Sequence, residues 1–437
     1  MSEAAIARPI DGAGRPTALL PLRMLLQISI YWMGLSSIFG GLDALFLPEW
    51  LKGIAEPGRI ATTTAFISFM GALVAVVVQP TIGSISDYTM TRWGRRKPYL
   101  VIGATLDVVF IFALANSYTI PAIIVFTMLL QFSSNFAQGP FQGYVPDLVP
   151  ARQVGLASAL VGVMSILGNV VGLGTVALAL VFTPAGEKPD FQWPLLALGL
   201  FELGTAIVTV VTVDEGRKPR DRAGRSWLRV ALEAWGREVF RYPSFLWMIA
   251  SRFVILAAIG MILKVADWYM ERSLRLDLGA RGTWVLIISG LIVAGVLIST
   301  FPAARWSDRV GRKRPIYAAC LIGAAGMTIM AIAPHIFVSA AGALIVGIAG
   351  GMFLAVDWAL MTDIIPKAAA GKFMGFSNLA TGLAGVFALA SGGTLVDLID
   401  GTAGGPVGPR AAYGLAIAFF AAGALLLRRV DPTRLED

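Results

Sequence analysis

Long apolar blocks dominate the chain, each closed by a short stretch of glycine, proline or charge. A helix needs about 20 mostly apolar residues to cross the hydrocarbon of a bilayer. Blocks of that length predict spans at roughly 24–47, 59–82, 98–117, 119–142, 153–183, 191–213, 243–270, 282–304, 315–333, 336–361, 372–398 and 410–430. The blocks near 153–183 and 243–270 are long enough to tilt or to project from the bilayer. No block alternates apolar and polar residues with period two, which excludes a β-barrel. The expected fold class is an all-α membrane protein of about twelve transmembrane helices.

The polar stretches set the organisation. Residues 1–23 read as a cytoplasmic N-terminal tail, 24–213 as a six-helix bundle, 214–242 as a cytoplasmic linker, 243–430 as a second six-helix bundle and 431–437 as a C-terminal tail. The tail before the first span has no apolar core, so no cleavable signal peptide is expected. With the N-terminus inside, inside segments hold 26 of the 35 basic residues and outside segments 7. Basic residues are retained on the cytoplasmic side, so both termini are expected there, in a plasma (inner) membrane. In the linker, Leu228, Leu232, Trp235 and Val239 recur at helical spacing, as in a short helix lying on the membrane surface; a solvated linker is the plainer reading.

Two signatures recur in register. Gly83-Ser-Ile-Ser-Asp87 followed by Arg92-Trp-Gly94-Arg95-Arg96-Lys97-Pro98 matches Ser307-Asp308-Arg309-Val-Gly311-Arg312-Lys313-Arg314-Pro315. Asp147-Leu-Val-Pro150 through Gly155 matches Asp363-Ile-Ile-Pro366 through Gly371. Each pair follows the second or the fourth span of its half, so the halves are parallel repeats of six spans.

Composition narrows the function. Hydrophobic residues make up 57% and charged residues 14% of the chain, where a soluble domain carries about 25% charge. The lone cysteine, Cys320, and lone histidine, His335, leave no multi-cysteine or histidine-rich metal site. No metal and no cofactor are expected. No catalytic triad or nucleotide-binding loop is present, so the chain does not read as an enzyme. Its basic runs are short loops between spans, which account for the net charge of +8 without nucleic acid.

Six spans plus six, with Asp-Arg-x-Gly-Arg-Lys in a loop, resemble the major facilitator superfamily. Val78-Gln79-Pro80 through Pro98, with four residues between Asp87 and Arg92, and Asn135-Phe-Ala-Gln138-Gly139-Pro140 are similar to the sucrose transporters and the glycoside–pentoside–hexuronide cation symporters. The resemblance implies sugar symport with a proton or sodium by alternating access. It also implies an acid in the fourth span and an arginine after Gly-Pro; Gln131 and Gln142 stand there, so proton coupling by that route is not expected. Ala304 replaces a glycine of the superfamily loop.

Candidate residues follow. Gln131, Asn135, Gln138 and Gln142 are four, three and four apart and share one helical stripe, with donors and acceptors for a hydroxyl-rich solute. Tyr31 and Trp32 are candidates to stack on a sugar face; interhelical packing is the plainer reading of all six. Asp87, Arg92, Gly94, Arg95, Arg96, Asp147 and Arg152, with Asp308, Arg309, Gly311, Arg312, Lys313 and Asp363, are candidates for a cytoplasmic gate, in which carboxylates pair with guanidiniums in one conformer and part in the other. Charges inside the membrane are costly and mark function by default. Asp43, Glu202 and Asp357, Arg252, and Lys264 with Asp267 three residues on, are therefore coupling candidates, while Asp107 reads as structural. Gly168 and Gly172 read as close helix packing. The remaining rivals are a proton-coupled exporter of amphiphilic compounds and a receptor or assembly factor that keeps the fold without transport.

Overall fold

The structure, a computed structural model, describes residues 17–56, 59–89, 91–150, 153–184, 187–215, 224, 226–227, 241–364, 370–403 and 407–431. Twelve of its helices are long and apolar enough to cross a membrane: Leu22–Gly41, Ile60–Ser86, Lys97–Ala115, Ile120–Phe141, Leu160–Val181, Gln192–Thr212, Pro243–Lys264, Leu278–Ser307, Lys313–Ile332, Ile336–Met361, Ala380–Gly401 and Gly408–Leu427. They are spans 1 to 12 below. Among the described residues there is no strand, only an isolated bridge between Thr91 and Gly94. The surface-helix expectation for 228–239 lies outside the described residues.

Local chemistry sets the helix ends. Span 3 starts with Pro98 in its first turn, where the missing N–H costs nothing. Thr119 and Asp277 cap spans 4 and 8, accepting from the backbone of Ala122 and Ala280. Span 7 departs from expectation. Its helix ends at Lys264, Val265 turns with φ −108°, and a π turn follows at Tyr269–Ser273. Span 1 likewise passes into a π turn at Leu42–Phe46. Such turns insert one extra residue and frequently sit at functional sites. Span 8 is longer than its apolar block, because its helix continues through Pro302 to Val310.

The chain divides into two compact units: one of residues 1–42, 73–176 and 190–235, the other of 43–72, 177–189 and 236–437. In the first, span 3 packs along spans 4 and 6, and span 1 along span 6. Gly172 of span 5 lies so close to the Ser37 carbonyl of span 1 that a Cβ there would collide with it, the close approach expected at this glycine. Leu20 and Gln153 exchange hydrogen bonds of 2.7 and 2.9 Å, which pins the segment before span 1 to the start of span 5. In the second unit, span 10 packs along spans 8 and 9, and span 7 along spans 11 and 12. Large apolar side chains such as Phe182, Val211, Phe301 and Leu321 stand exposed on the helices, as a lipid-facing surface requires.

Candidate functional site

In the first unit the loop after span 2 folds back on itself. Gly94 sits at φ 123°, a conformation that costs a residue with a Cβ, and the turn aims two arginines inward. Arg96 donates to Asp87 at 2.8 Å and lies 2.9 Å from Asp147. Arg95 pairs with Asp147 and stands 3.8 Å from Asp87. Both arginines are buried, while Arg92, expected in the cluster, is exposed. Glu215, just past span 6, accepts from the backbone N–H groups of Arg95, Arg96 and Lys97 and from the Tyr144 hydroxyl at 2.7 Å. A carboxylate there satisfies orphan amides and meets the positive end of the span 3 dipole. Burial, then the Glu215 carboxylate, hold the Tyr144 phenol well above its usual range, so it stays a donor.

The second unit repeats the turn. Gly311 stands at φ 87°, Arg312 donates to Ser307 at 2.8 Å, and Lys313 donates to the Val430 carbonyl at 2.6 Å. Arg309 is exposed. Arg152 and the side chains of Asp43, Asp308 and Asp363 lie outside the described residues. The Asp43 backbone lies in the π turn at the end of span 1.

Gln131, Asn135 and Gln138 share one face of span 4, and Gln142 caps its end. Asn135 is buried and donates to both the carbonyl and the side-chain oxygen of Gln131, at 2.8 and 3.0 Å. The other three amides are partly exposed. Tyr31 is corrected: it is fully buried and its hydroxyl donates to Glu202 at 2.9 Å, so neither its ring nor its hydroxyl is open to a solute. Trp32, half-buried beside Phe141 at 5.8 Å, keeps an accessible edge. Asp107 accepts from Ser133 and, at 2.9 Å, from Ser134.

In the second unit, Arg252 of span 7 and Asp357 of span 10 form a buried ion pair. The same guanidinium donates to Thr381 of span 11 at 3.1 Å and lies 5.7 Å from the Trp358 ring centre. Both members are coupling candidates, and each is the other's counter-charge. The expected face shared by Lys264 and Asp267 is broken by the turn at Val265, and Asp267 pairs instead with Arg281 at 2.7 Å. Arg281 also reaches Glu49 at 3.4 Å, and Lys52 joins Glu49 at 2.8 Å and Glu271 at 2.6 Å. Five charges thus form one cluster at the end of the helices away from the basic loops. Burial pushes Asp267 up to about 6 against the pull of Arg281 and Lys52. Burial pulls the Lys52 ammonium down, but Asp267 and Glu49 outweigh it and its pKa is raised.

A family model described as MFS/sugar transport protein matches residues 46–428. The chain belongs to this family. MFS/sugar transport proteins are carriers, and the twelve spans are those of the major facilitator fold. The lactose permease of Leuconostoc lactis is 29% identical over 215 residues, 44% of this chain and 34% of that one. The sucrose transport protein SUT1 of Oryza sativa subsp. japonica is 29% identical over 131 residues, 25% of this chain and 24% of that one. The chain thus matches about a third or less of these relatives' length. A crystal structure of a D-xylose–proton symporter superposes with TM-score 0.71 at 15% identity, covering 94% of this chain and 100% of that one, which establishes the shared fold.

Within this MFS chain, sequence reasoning missed Glu215, because it opens a linker crowded with charge. The repeat gives no signal for it: Val213-Asp214-Glu215-Gly216-Arg217 after span 6 matches Val430-Asp431-Pro432-Thr433-Arg434 after span 12 at Val, Asp and Arg, with proline where Glu215 stands. Ser133 and Ser134 were missed because hydroxyls are common in packed membrane helices. Glu49, Lys52, Glu271 and Arg281 lie just outside the predicted spans, where single charges carry no signal.

Proposed function

We propose that this chain is a secondary active transporter that carries a small sugar-class solute by alternating access, coupled to a cation gradient. The amide stripe on span 4 carries the reading. Gln131, Gln138 and Gln142 keep part of their surface open, and amides suit a ligand made of hydroxyls. Trp32 supplies an apolar edge in the same unit. The two six-span repeats, 24–213 and 243–430, are the bodies that move, joined by the 214–242 linker. The Asp87–Arg96–Asp147 cluster holds the ends of spans 2, 3 and 4 of the first repeat together in this state and loosens in the other. The Lys52–Glu271 and Glu49–Arg281 pairs tie helix ends of the first repeat to the second, so they part when that end opens.

Counterflow tests the proposal. Purified protein in phosphatidylethanolamine–phosphatidylglycerol vesicles loaded with unlabelled sucrose or lactose should concentrate the labelled sugar from outside. Absence of counterflow with every sugar tried, with amphiphilic amines moving instead, would favour the exporter. Orientation has its own check. A cysteine placed in 214–225 should react with an impermeant thiol reagent only from the cytoplasmic side, since the native Cys320 is buried.

A further inference from the structure

Four helices of the first unit meet at a single buried polar point. Asp107 comes from span 3, Glu202 from span 6, Tyr31 from span 1, and Ser133 and Ser134 from span 4. All five are buried, and Asp107, Glu202 and Tyr31 have no exposed surface. Each carboxyl receives hydroxyl donors: Tyr31 on Glu202 Oε1 at 2.9 Å, and the two serines on Asp107. Glu202 Oε2 receives none, and the Asp107 carboxyl lies beside the Glu202 carboxyl. Two carboxyl groups in contact have acceptors on both sides and one hydrogen too few. Two negative charges at contact distance cannot both persist in a dry interior. The missing hydrogen is therefore a proton between them.

A metal cation fits less well. Hard cations gather about six oxygens or more around themselves. Here each hydroxyl donates its hydrogen to a carboxyl oxygen at hydrogen-bond distance instead of turning its lone pairs to a shared centre. Among the described residues, Tyr31 and the two acids act on one another, and no lysine or arginine is ion-paired with either carboxyl.

We propose that Asp107 and Glu202 share one exchangeable proton and form the proton-coupling site of this transporter. The inference rests on the transporter reading above. It places coupling away from position 131, where the amide cannot titrate. On loading, the dianionic pair takes a proton from water on one side. On release it returns that proton to water on the other, and the two carboxylates repel. That repulsion reaches the solute face through two routes. Ser133 and Ser134 share a helical turn with Gln131 and Asn135, and Tyr31 precedes Trp32 in span 1. The dianion needs water to persist, so proton release requires the bundle to open around the pair.

Glu202→Gln is the informative variant. Its amide donates to Asp107 where the proton stood, so it fixes the loaded state without emptying the site. Two measurements decide. Infrared titration of purified protein should show a protonated-carboxyl band that fades as pH rises and is lost in both Glu202→Gln and Asp107→Asn. Sucrose or lactose accumulation in vesicles under an inward proton gradient should fall at least about tenfold in Glu202→Gln, while counterflow, which needs no net proton movement, falls less than about threefold. A band unaffected by both variants overturns the shared proton. Accumulation that survives Glu202→Gln, or that follows a sodium gradient and ignores the proton gradient, overturns the coupling role. If the wild type moves neither sugar, the sugar reading fails, and the infrared titration alone upholds or overturns the proton pair.

Discussion

Glu215 caps the helix that Arg96 opens: its carboxylate accepts the Arg96 backbone N–H while the Arg96 guanidinium turns away to Asp87. One residue is thus held by acids on both sides, its amide by the chain after span 6 and its side chain by the end of span 2. This gives the Asp87–Arg96–Asp147 cluster two separable parts. Asp87→Asn should lower transport far more than membrane expression, because a neutral amide still fills the place but no longer forms an ion pair with Arg96. Glu215→Ala should instead lower thermal stability, by about 1–3 kcal/mol for several amides and a hydroxyl left bare. Flux assays beside detergent melting curves separate the two, and equal behaviour of both variants would remove the distinction.

The Arg252–Asp357 pair is buried, so removing one partner strands the other. Arg252→Leu or Asp357→Leu alone should each cost about 3–5 kcal/mol and sharply reduce folded protein. The double replacement, Arg252→Leu with Asp357→Leu, should recover much of the fold. Its transport then reports whether the pair serves the cycle or only the packing. Fluorescence size-exclusion chromatography of the three variants checks the order.

Asn135 donates to Gln131 within span 4 and keeps the stripe in register. Asn135→Ala removes that donor, and a hydrogen bond of this kind is worth about 0.5–1.5 kcal/mol. If the proposed sugar reading holds, solute affinity should weaken by about two- to tenfold. Unchanged binding of the identified sugar by calorimetry would make the stripe packing alone.

Asp267 gives a pH dependence. Its folded pKa of about 6 stands above the carboxylate's ordinary value because burial outweighs Arg281 and Lys52. A group raised in the folded state adds stability below its unfolded pKa and loses it as pH climbs through the folded one. The melting temperature should therefore fall between about pH 4 and pH 6, and Asp267→Asn should flatten that step. An undiminished step in the variant assigns it to another group.

The helices were readable because lipid imposes length and hydropathy on each span. The repeats were readable because turns demand particular residues: Gly94 and Gly311 both stand at positive φ. Which faces meet was not readable. Nothing in the sequence says that Tyr31 turns to Glu202 rather than to a solute, or that Asp107 in span 3 faces span 6. The pairing rule for residues three apart failed at Lys264 and Asp267 because the helix it presumes stops between them. The charges of the Asp267–Arg281–Glu49–Lys52–Glu271 cluster sit at helix ends, where charge is ordinary, and only folding gathers them.

Residues 43–72 belong by sequence to the first repeat, yet they share a compact unit with the second. Thr62 gives its backbone and hydroxyl hydrogens to Asp397, and Lys52 lies against Glu271. A gene split in the 214–242 linker would therefore not yield two self-sufficient products. The carboxy-terminal fragment made alone would leave Asp397, Glu271 and Arg281 without Thr62, Lys52 and Glu49. Made together, the fragments should stabilise each other against proteolysis, so the two halves depend on one another for folding as well as for motion.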